Sequence, residues 1–362
     1  MKKIVFLVAH LLRGGAENTV VYLSEYFAKR GNDVYIISVS PHVEFDLYEK
    51  VKLICFDYEN EDKILKRAAI LGRRIHAVRK QIKEISPDIV VCMKYAMARY
   101  IISWHFKKKF VLVVSERSNP AYLTSLEKKF ERYYIMKHSD GIVFQTKRAQ
   151  SFFSDTINKK SVIIQNAIGN KKIYNADVAP FIKKEIVAVG NLRRQKDYTT
   201  LIKAFSIVYN RHSDYRLVIY GDGEERDKLR QLSSELNVES AVVFKGSVKD
   251  AVMYAYGARC YVLSSISEGM PNSLIEAMAL GLPCVSTDCP NGPSELITNG
   301  VNGILVEPKN YNQLAEAIIK FIEDDEFAKK CGRNASAIKK TNSIEQIGNL
   351  YNEYFIKLYK EK

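Results

Sequence analysis

Cysteine is sparse and unpaired in this sequence. Six residues (Cys55, Cys92, Cys260, Cys284, Cys289 and Cys331) form no C-x-x-C pair and no metal-ligand spacing. Cys92, Cys260 and Cys284 lie in apolar, strand-like runs, where a buried free thiol is the expected state. The set therefore reads as reduced and structural, and the chain as cytoplasmic. No apolar run approaches the roughly 18–20 residues that span a bilayer, so no transmembrane helix is expected. The opening MKKIVFLVAHLLRGGAE imitates a secretory leader, but its apolar core stops at Ala9 and no small-residue cleavage site follows. It reads as a first β-strand. There is no D-x-D pair and no His/Cys/Asp cluster, so a metal-dependent phosphoryl site has no support. The G-x-S-x-G elbow, the Walker loop and G-x-G-x-x-G are missing too.

The composition is that of a globular protein, with 47% apolar and 27% charged residues. At 362 residues the chain is longer than most single cores and points to two domains. Its charge is lopsided. Residues 1–175 hold 31 Lys and Arg against 17 Asp and Glu, whereas residues 176–362 hold 24 against 24. A basic excess confined to one half points to a polyanion or an anionic membrane surface touching that half. A chance enrichment in surface lysine is the bland alternative.

Two strand–helix series run along the chain. The first begins with KKIVFLVA, the loop LLRGGAE and a helical pattern closed by Gly31. It continues through DVYIISVS, PDIVVCM, KFVLVVSE, the helical TSLEKKFERYYIMKHS, DGIVFQT and SVIIQNA. A polar stretch, NKKIYNADVAPFIKK, reads as a linker. The second series starts at KEIVAVG and alternates YRLVIYG, AVVFKG, CYVLSS, LPCVST and GILV with helices, among them one around DAVMYAYGA. Short continuous apolar strands of this kind are buried on both faces of a parallel sheet. Each half is therefore expected to be a doubly wound α/β domain with ligands at the carboxyl ends of its strands. The segments are 1–175, 176–342 and a last amphipathic helix over 343–362.

Four loops at those strand ends stand out. Gly14 and Gly15 permit a tight turn and a close backbone approach to a phosphate. In VGNLRRQKDY, Arg193, Arg194 and Lys196 precede a helix, where cations oppose the dipole unless an anion is near; a solvated basic loop is the other reading. Arg binds a diphosphate through a bidentate fork and Lys as a point charge. YGDGEER is accounted for by turn chemistry. SERSNP, with Glu116, Arg117 and Asn119, follows the strand FVLVV at a position suited to a substrate.

The stretch SISEGMPNSLIEAMALG places Glu268 before a helix start and Glu276 in what reads as its first turn. Two readings are open. Ser273-x-x-Glu276 fits a capping box, and a helix N-terminus is also an anion site flanked here by two acids. A further segment, residues 61–85, repeats apolar residues at Ile64, Ala68, Leu71, Ile75, Val78, Ile82 and Ile85, which predicts an amphipathic helix. Lys66, Arg73 and Lys80 stand seven apart on another face and make a line of positive charge. That line is either a solvated face or a contact for anionic lipid or a lipid diphosphate.

Taken together, LLRGGAE, SERSNP, VGNLRRQK, YGDGEER and SEGMPNSLIEAMALGLPCVSTD resemble glycosyltransferase family 4, the retaining sugar-nucleotide-dependent transferases of GT-B fold. The pair Glu268-x7-Glu276 is the most specific element. The following DCPNGPSELI is similar to subgroups that use UDP-hexoses and UDP-N-acetylhexosamines, in particular enzymes that extend undecaprenyl-diphosphate-linked oligosaccharides with GalNAc-type sugars.

The resemblance implies two Rossmann-like domains facing across a cleft. The first would be a basic, membrane-facing acceptor side and the second would bind the nucleotide sugar, with the last helix packing back toward the first. It implies that Glu276 holds the ribose and Glu268 the donor sugar. Arg193, Lys196 and the N–H groups around Gly269, Met270, Pro271, Asn272, Ser273 and Leu274 would stabilise the departing diphosphate. Gly14, Gly15 and Gly190 would also lie on the donor. Glu116, Arg117 and Asn119 would meet the acceptor or sugar, and Lys66, Arg73 and Lys80 the lipid diphosphate or membrane. Two positions depart from the family pattern. Asn191 stands where relatives carry Arg, so Arg193 inherits that role. Arg117 stands where relatives show a sugar-contacting His.

The expected activity is retaining, metal-independent and cofactor-free transfer from a UDP-sugar to a polyprenyl-diphosphate-linked glycan, by an enzyme peripheral on the inner face of the cell membrane. A soluble acceptor is the alternative, which the basic first half disfavours. Nucleic-acid binding is a remote one, lacking stacking aromatics between the cations.

Overall fold

The structure is a computed structural model that describes residues 2–12, 14–57, 67–105, 109–169 and 180–362. Two compact units form, one from Met1–Ala167 with Ile344–Lys362 and the other from Ile168–Ser343.

The first unit is built on β1 (Lys3–Val8), β2 (Asp33–Ser38), β3 (Val51–Cys55), β4 (Ile89–Cys92), β5 (Val111–Glu116), β6 (Gly141–Phe144) and β7 (Ser161–Ile163). All pairings are parallel and the order is β3-β2-β1-β4-β5-β6-β7. Its helices are α1 (Gly15–Lys29), α2 (Arg67–Ile85), α3 (Ile102–His105), α4 (Leu126–His138), α5 (Lys147–Gln150) and α6 (Asp155–Asn158). Alternation along β1 feeds two cores: Ile4, Phe6 and Val8 pack into one, Val5 and Leu7 into the other. Both sheet faces are thus covered, which is why the strand reads as an unbroken apolar run. Edge strand β3 gave no such signal, because only Val51 of its five residues is buried.

The second unit repeats the plan with β8 (Glu185–Val189), β9 (Arg216–Tyr220), β10 (Val242–Gly246), β11 (Cys260–Leu263), β12 (Cys284–Thr287) and β13 (Ile304–Val306). They are parallel in the order β10-β9-β8-β11-β12-β13. Around them run α7 (Tyr198–Arg211), α8 (Arg226–Glu235), α9 (Asn272–Ala279), α10 (Pro293–Leu296), α11 (Tyr311–Glu323), α12 (Asp325–Ser336) and α13 (Ile338–Thr341). The strand order reverses between β8 and β11, and ligands of doubly wound sheets sit outside the strand ends at that point. The helix expected around DAVMYAYGA is only a 3-10 turn, Ala251–Ala255.

The last helix, α14 (Ile344–Glu361), belongs to the first unit. Ile347, Tyr351, Phe355 and Leu358 enter the core that holds Ile4 and Phe6, and the Phe355 ring stacks on Phe27 at 5.5 Å. All six cysteines are free, and five are buried while Cys55 is exposed.

Candidate active site

At the β8/β11 reversal two loops are tied together. The chain leaves β8 through Gly190, makes the 3-10 turn Arg194–Lys196, and enters α7 through Asp197. Asp197 adopts a left-handed conformation and caps α7 by accepting from the Thr200 N–H at 3.3 Å. The loop after β11 is strapped to this turn. Ser264 Oγ donates to the Lys196 carbonyl at 2.8 Å, and the Ile266 N–H to the Gln195 carbonyl at 2.9 Å. Gln195 Nε2 returns a bond to the Ser267 carbonyl at 2.7 Å.

The straps bring Lys196 and Glu268 face to face. Lys196 Nζ donates to Glu268 Oε1 at 2.6 Å, and Ser265 Oγ donates to the same oxygen at 2.6 Å. Glu268 is only 7% exposed, so the pair works in a low-dielectric setting where charge interactions are strong. Among the described residues no hydrogen bond falls on Oε2. That oxygen is left to accept from a hydroxyl.

Two glycines serve close packing of backbones. The loop after β9 crosses the loop after β8, with the Leu192 N–H donating to the Asp222 carbonyl at 3.0 Å and the Glu225 N–H to the Leu192 carbonyl at 3.1 Å. A Cβ on Gly223 would lie 2.5 Å from Leu192 O. YGDGEER is therefore more than a turn: it buttresses the Lys196 loop. Gly292, at φ +100°, lets the loop after β12 press on the start of α9, where a Cβ would meet Pro271 Cδ at 2.6 Å.

Helix α9 corrects the capping-box reading. It starts at Asn272, its N-cap is Pro271, and no side chain caps it. Ser273 lies inside the helix, where its hydroxyl accepts from the buried Tyr261 OH at 2.8 Å. Glu276 falls beyond the first turn and is half-buried. Pro271 brings no N–H, and the N–H groups of Leu274 and Ile275 both go to the Pro271 carbonyl, at 3.1 and 3.2 Å. Leu274 itself is core. The Leu274 N–H is thus spent within the helix, so the motif offers fewer donors to an anion than the resemblance implied. Arg193 is exposed, and neither a hydrogen bond nor an ion pair joins its side chain to Lys196 or Glu268. It lines an open pocket of about 330 Å³ with Arg194, Thr199, Glu225 and Lys228 instead.

In the first unit the strand-end loops are occupied internally. The Glu116 carboxylate is 2% exposed. It accepts from the Ser118 N–H at 3.1 Å and hydroxyl at 2.6 Å, and from Arg132 at 3.5 Å. Burial raises its pKa against these bonds. Arg117 donates to Thr19 Oγ1 at 3.0 Å, Asn166 Oδ1 at 2.6 Å and Tyr351 OH at 3.1 Å, tying α1 and α14 to the sheet. Asn119 caps the 3-10 turn Pro120–Tyr122. These side chains hold the SERSNP loop in shape, a job the sequence did not reveal.

Gly14 and Gly15 open α1, and a Cβ on Gly14 would lie 2.5 Å from Glu17 Oε2. Glu17, buried, pairs with Lys94 Nζ at 2.9 Å beside His10 at 4.0 Å. This Glu17–Lys94 pair went unnoticed in the sequence, because Lys94 arrives from the end of β4, far along the chain.

On α2, Arg73 and Lys80 are exposed, while Lys66 lies outside the described residues. Val78, Ile82 and Ile85 form the buried stripe. Leu71, expected in that stripe, is 40% exposed. Among the described residues no three His, Cys, Asp or Glu side chains gather to hold a metal ion, and no helix is long and apolar enough to cross a membrane.

Residues 13–169 match the family model described as Glycosyltransferase Family 4, and residues 175–337 match Glycosyl transferases group 1. Two Campylobacter jejuni enzymes are similar over nearly the whole chain. One, an α-1,4-N-acetyl-D-galactosaminyltransferase named for a GalNAc-containing diNAcBac-PP-undecaprenol, is 26% identical, covering 96% of this chain and 96% of that protein. The other, an N-acetylgalactosamine-N,N'-diacetylbacillosaminyl-diphospho-undecaprenol 4-α-N-acetylgalactosaminyltransferase, is 27% identical, covering 91% and 92%. Among solved structures, a Staphylococcus aureus TarM variant in complex with fondaparinux, α-GlcNAc-glycerol and UDP superposes with a TM-score of 0.81 at 17% identity, covering 98% of this chain and all of that one.

Proposed function

The chain belongs to glycosyltransferase family 4, with the GT-B fold, and from that premise we propose that it transfers a sugar from a UDP donor to a polyprenyl-diphosphate-linked glycan with retention of configuration. An N-acetylhexosamine or hexose is the proposed sugar. The observation that carries the reading is the Lys196–Glu268 pair, fixed at 2.6 Å beside the uncapped start of α9.

The chemistry follows from that placement. Glu268 Oε2 accepts from a hydroxyl of the donor sugar, and Glu276 from the ribose. As the anomeric C–O bond to the diphosphate breaks, charge grows on the leaving oxygens. Lys196 and the N–H groups ahead of Leu274 stabilise it, a contribution worth about 3–4 kcal/mol per preorganised donor. The acceptor oxygen bonds to the anomeric carbon from the same face, and its proton passes to the departing phosphate. No protein general base is assigned. Lys196 and the α9 start supply the positive charge, which supports metal independence, and no cofactor is proposed.

The acceptor class rests on the two Campylobacter relatives, named for undecaprenol-linked glycans, and on the basic excess of residues 1–175. Together they favour a peripheral location on the inner face of the membrane over a soluble acceptor. The test is release of nucleoside diphosphate from a panel of sugar nucleotides in EDTA, with and without a polyprenyl-diphosphate-linked glycan. Acceptor-stimulated release from a UDP-sugar in EDTA is expected. Dependence on a divalent metal, or preference for a soluble sugar acceptor, would count against it.

A further inference from the structure

Helix α4 wears large apolar side chains on the outside. Its inward face is Arg132, Ile135 and Met136. Directly opposite, Leu126 is 81% and Phe130 71% exposed, with Tyr133 and Tyr134 continuing the same stripe. At 100° per residue these four lie within about a quarter of the helix circumference. The start of the helix is pinned by Ser125, whose hydroxyl accepts from the Lys128 N–H at 3.4 Å, so the exposed leucine is presented on an ordered first turn. Tyr122, just before the helix, and Phe152, next to the Phe153 ring that stacks under Arg132, are exposed as well.

Soluble surfaces seldom carry such a cluster without a partner. The cations around it indicate which partner. Lys137 lies within the stripe and Lys129 at its edge on α4, and Lys147 and Arg148 open α5, all exposed, whereas Lys128 turns to the side of Ile135. Of the two acids on α4, Glu131 is paired with Arg99 at 3.0 Å and Glu127 is exposed in the first turn, so the cations remain in excess. An apolar stripe rich in aromatics, with Lys137 in it and Lys129 at its edge, suits the headgroup boundary of an anionic bilayer, where rings sit at the interface and lysines reach up to phosphates. A second copy of this basic surface would bring like charges together.

We propose that α4 is the membrane-docking face of this protein, inserting Leu126 and Phe130 into an anionic lipid surface with Lys129 and Lys137 on the headgroups. The inference refines where the proposed lipid-linked acceptor is met, and rests on that reading only for its biological purpose. It also places the apolar contact on α4 and not on α2: α2 offers the exposed cations Arg73 and Lys80, but among its described side chains Ala69 and Leu71 are the exposed apolar ones.

The test is co-sedimentation of the full chain with phosphatidylcholine vesicles, with and without about one third phosphatidylglycerol. The wild type should bind the anionic vesicles and be released by salt. Leu126→Gln with Phe130→Gln should lower partitioning about tenfold or more, with an unchanged circular dichroism spectrum and unchanged UDP-sugar binding. Arg73→Gln with Lys80→Gln should lower it less. The proposal is overturned if the wild type stays in the supernatant, if the α4 variant binds like wild type, or if that variant merely converts a dimer to a monomer in sedimentation. UDP-sugar binding, read in the same samples, separates these outcomes from failure of the transferase reading.

Discussion

Lys196 Nζ and Glu268 Oε1 stand 2.6 Å apart, although 72 residues separate them in sequence. The contact joins the loop after β8 to the loop after β11, the two strands flanking the reversal of the sheet. It gives the site a fixed charge pattern before any donor arrives: a cation held by one carboxylate oxygen, with the other oxygen left to accept.

Lys196→Ala should lower kcat by about 10²–10³, the usual cost of removing one preorganised donor to a developing anion. It also strands Glu268 as a buried carboxylate without its cation, which costs about 3–5 kcal/mol of stability. The double change Lys196→Met with Glu268→Gln should restore the thermal midpoint without restoring turnover. Parallel recovery of both would make the pair a purely structural one.

Glu276→Ala should weaken UDP binding by about tenfold to a hundredfold, the loss expected for the proposed charge-assisted hydrogen bond to ribose hydroxyls. Isothermal titration with UDP measures it directly. Unchanged affinity would remove Glu276 from the donor site.

Gly223→Ala adds a methyl group 2.5 Å from Leu192 O, so the loop that carries Lys196 must shift. Catalysis tolerates displacements of about 1 Å poorly, and kcat should fall with little change in the stability of the remaining sheet. A wild-type kcat would show that the crossing of the two loops does not position Lys196.

Asp140 is a sharp test of the first unit's electrostatics. Burial alone would raise its pKa, but bonds from His105 Nε2 (3.0 Å), the Leu112 N–H (2.7 Å) and Lys362 Nζ (2.9 Å) outweigh burial and hold it at about 2. The folded pKa is below the ordinary 3.8. Its stabilisation is therefore present above about pH 4 and lost as pH falls through about 2. Asp140→Asn should cost about 2 kcal/mol at pH 7, and wild type and variant should converge in urea unfolding near pH 2. A difference that does not vary with pH would contradict this account.

The strand–helix alternation of both units was legible because parallel strands buried on two faces read as plain apolar runs. β3 was not, being a half-exposed edge, and α12 was not, because DEFAKKCGRNAS carries its buried Ala328, Cys331 and Ala335 among lysines and polar residues. The Glu268 motif was legible as a site, but the capping box read beside it does not form: the N-cap is Pro271, two residues before Ser273. The internal use of Glu116 and Arg117 was invisible, since their partners Arg132, Thr19, Asn166 and Tyr351 come from four separate elements and loops. Sequence pattern reports local periodicity and turn chemistry well, and long-range side-chain pairing poorly.

The most direct measurement is the anomeric configuration of the product, read by proton NMR after incubation with an α-linked UDP-N-acetylhexosamine and a polyprenyl-diphosphate-linked glycan in EDTA. An α-linked product is predicted, because in the proposed mechanism the acceptor adds on the face from which the diphosphate departs. A β-linked product, or transfer that requires added metal, would contradict it.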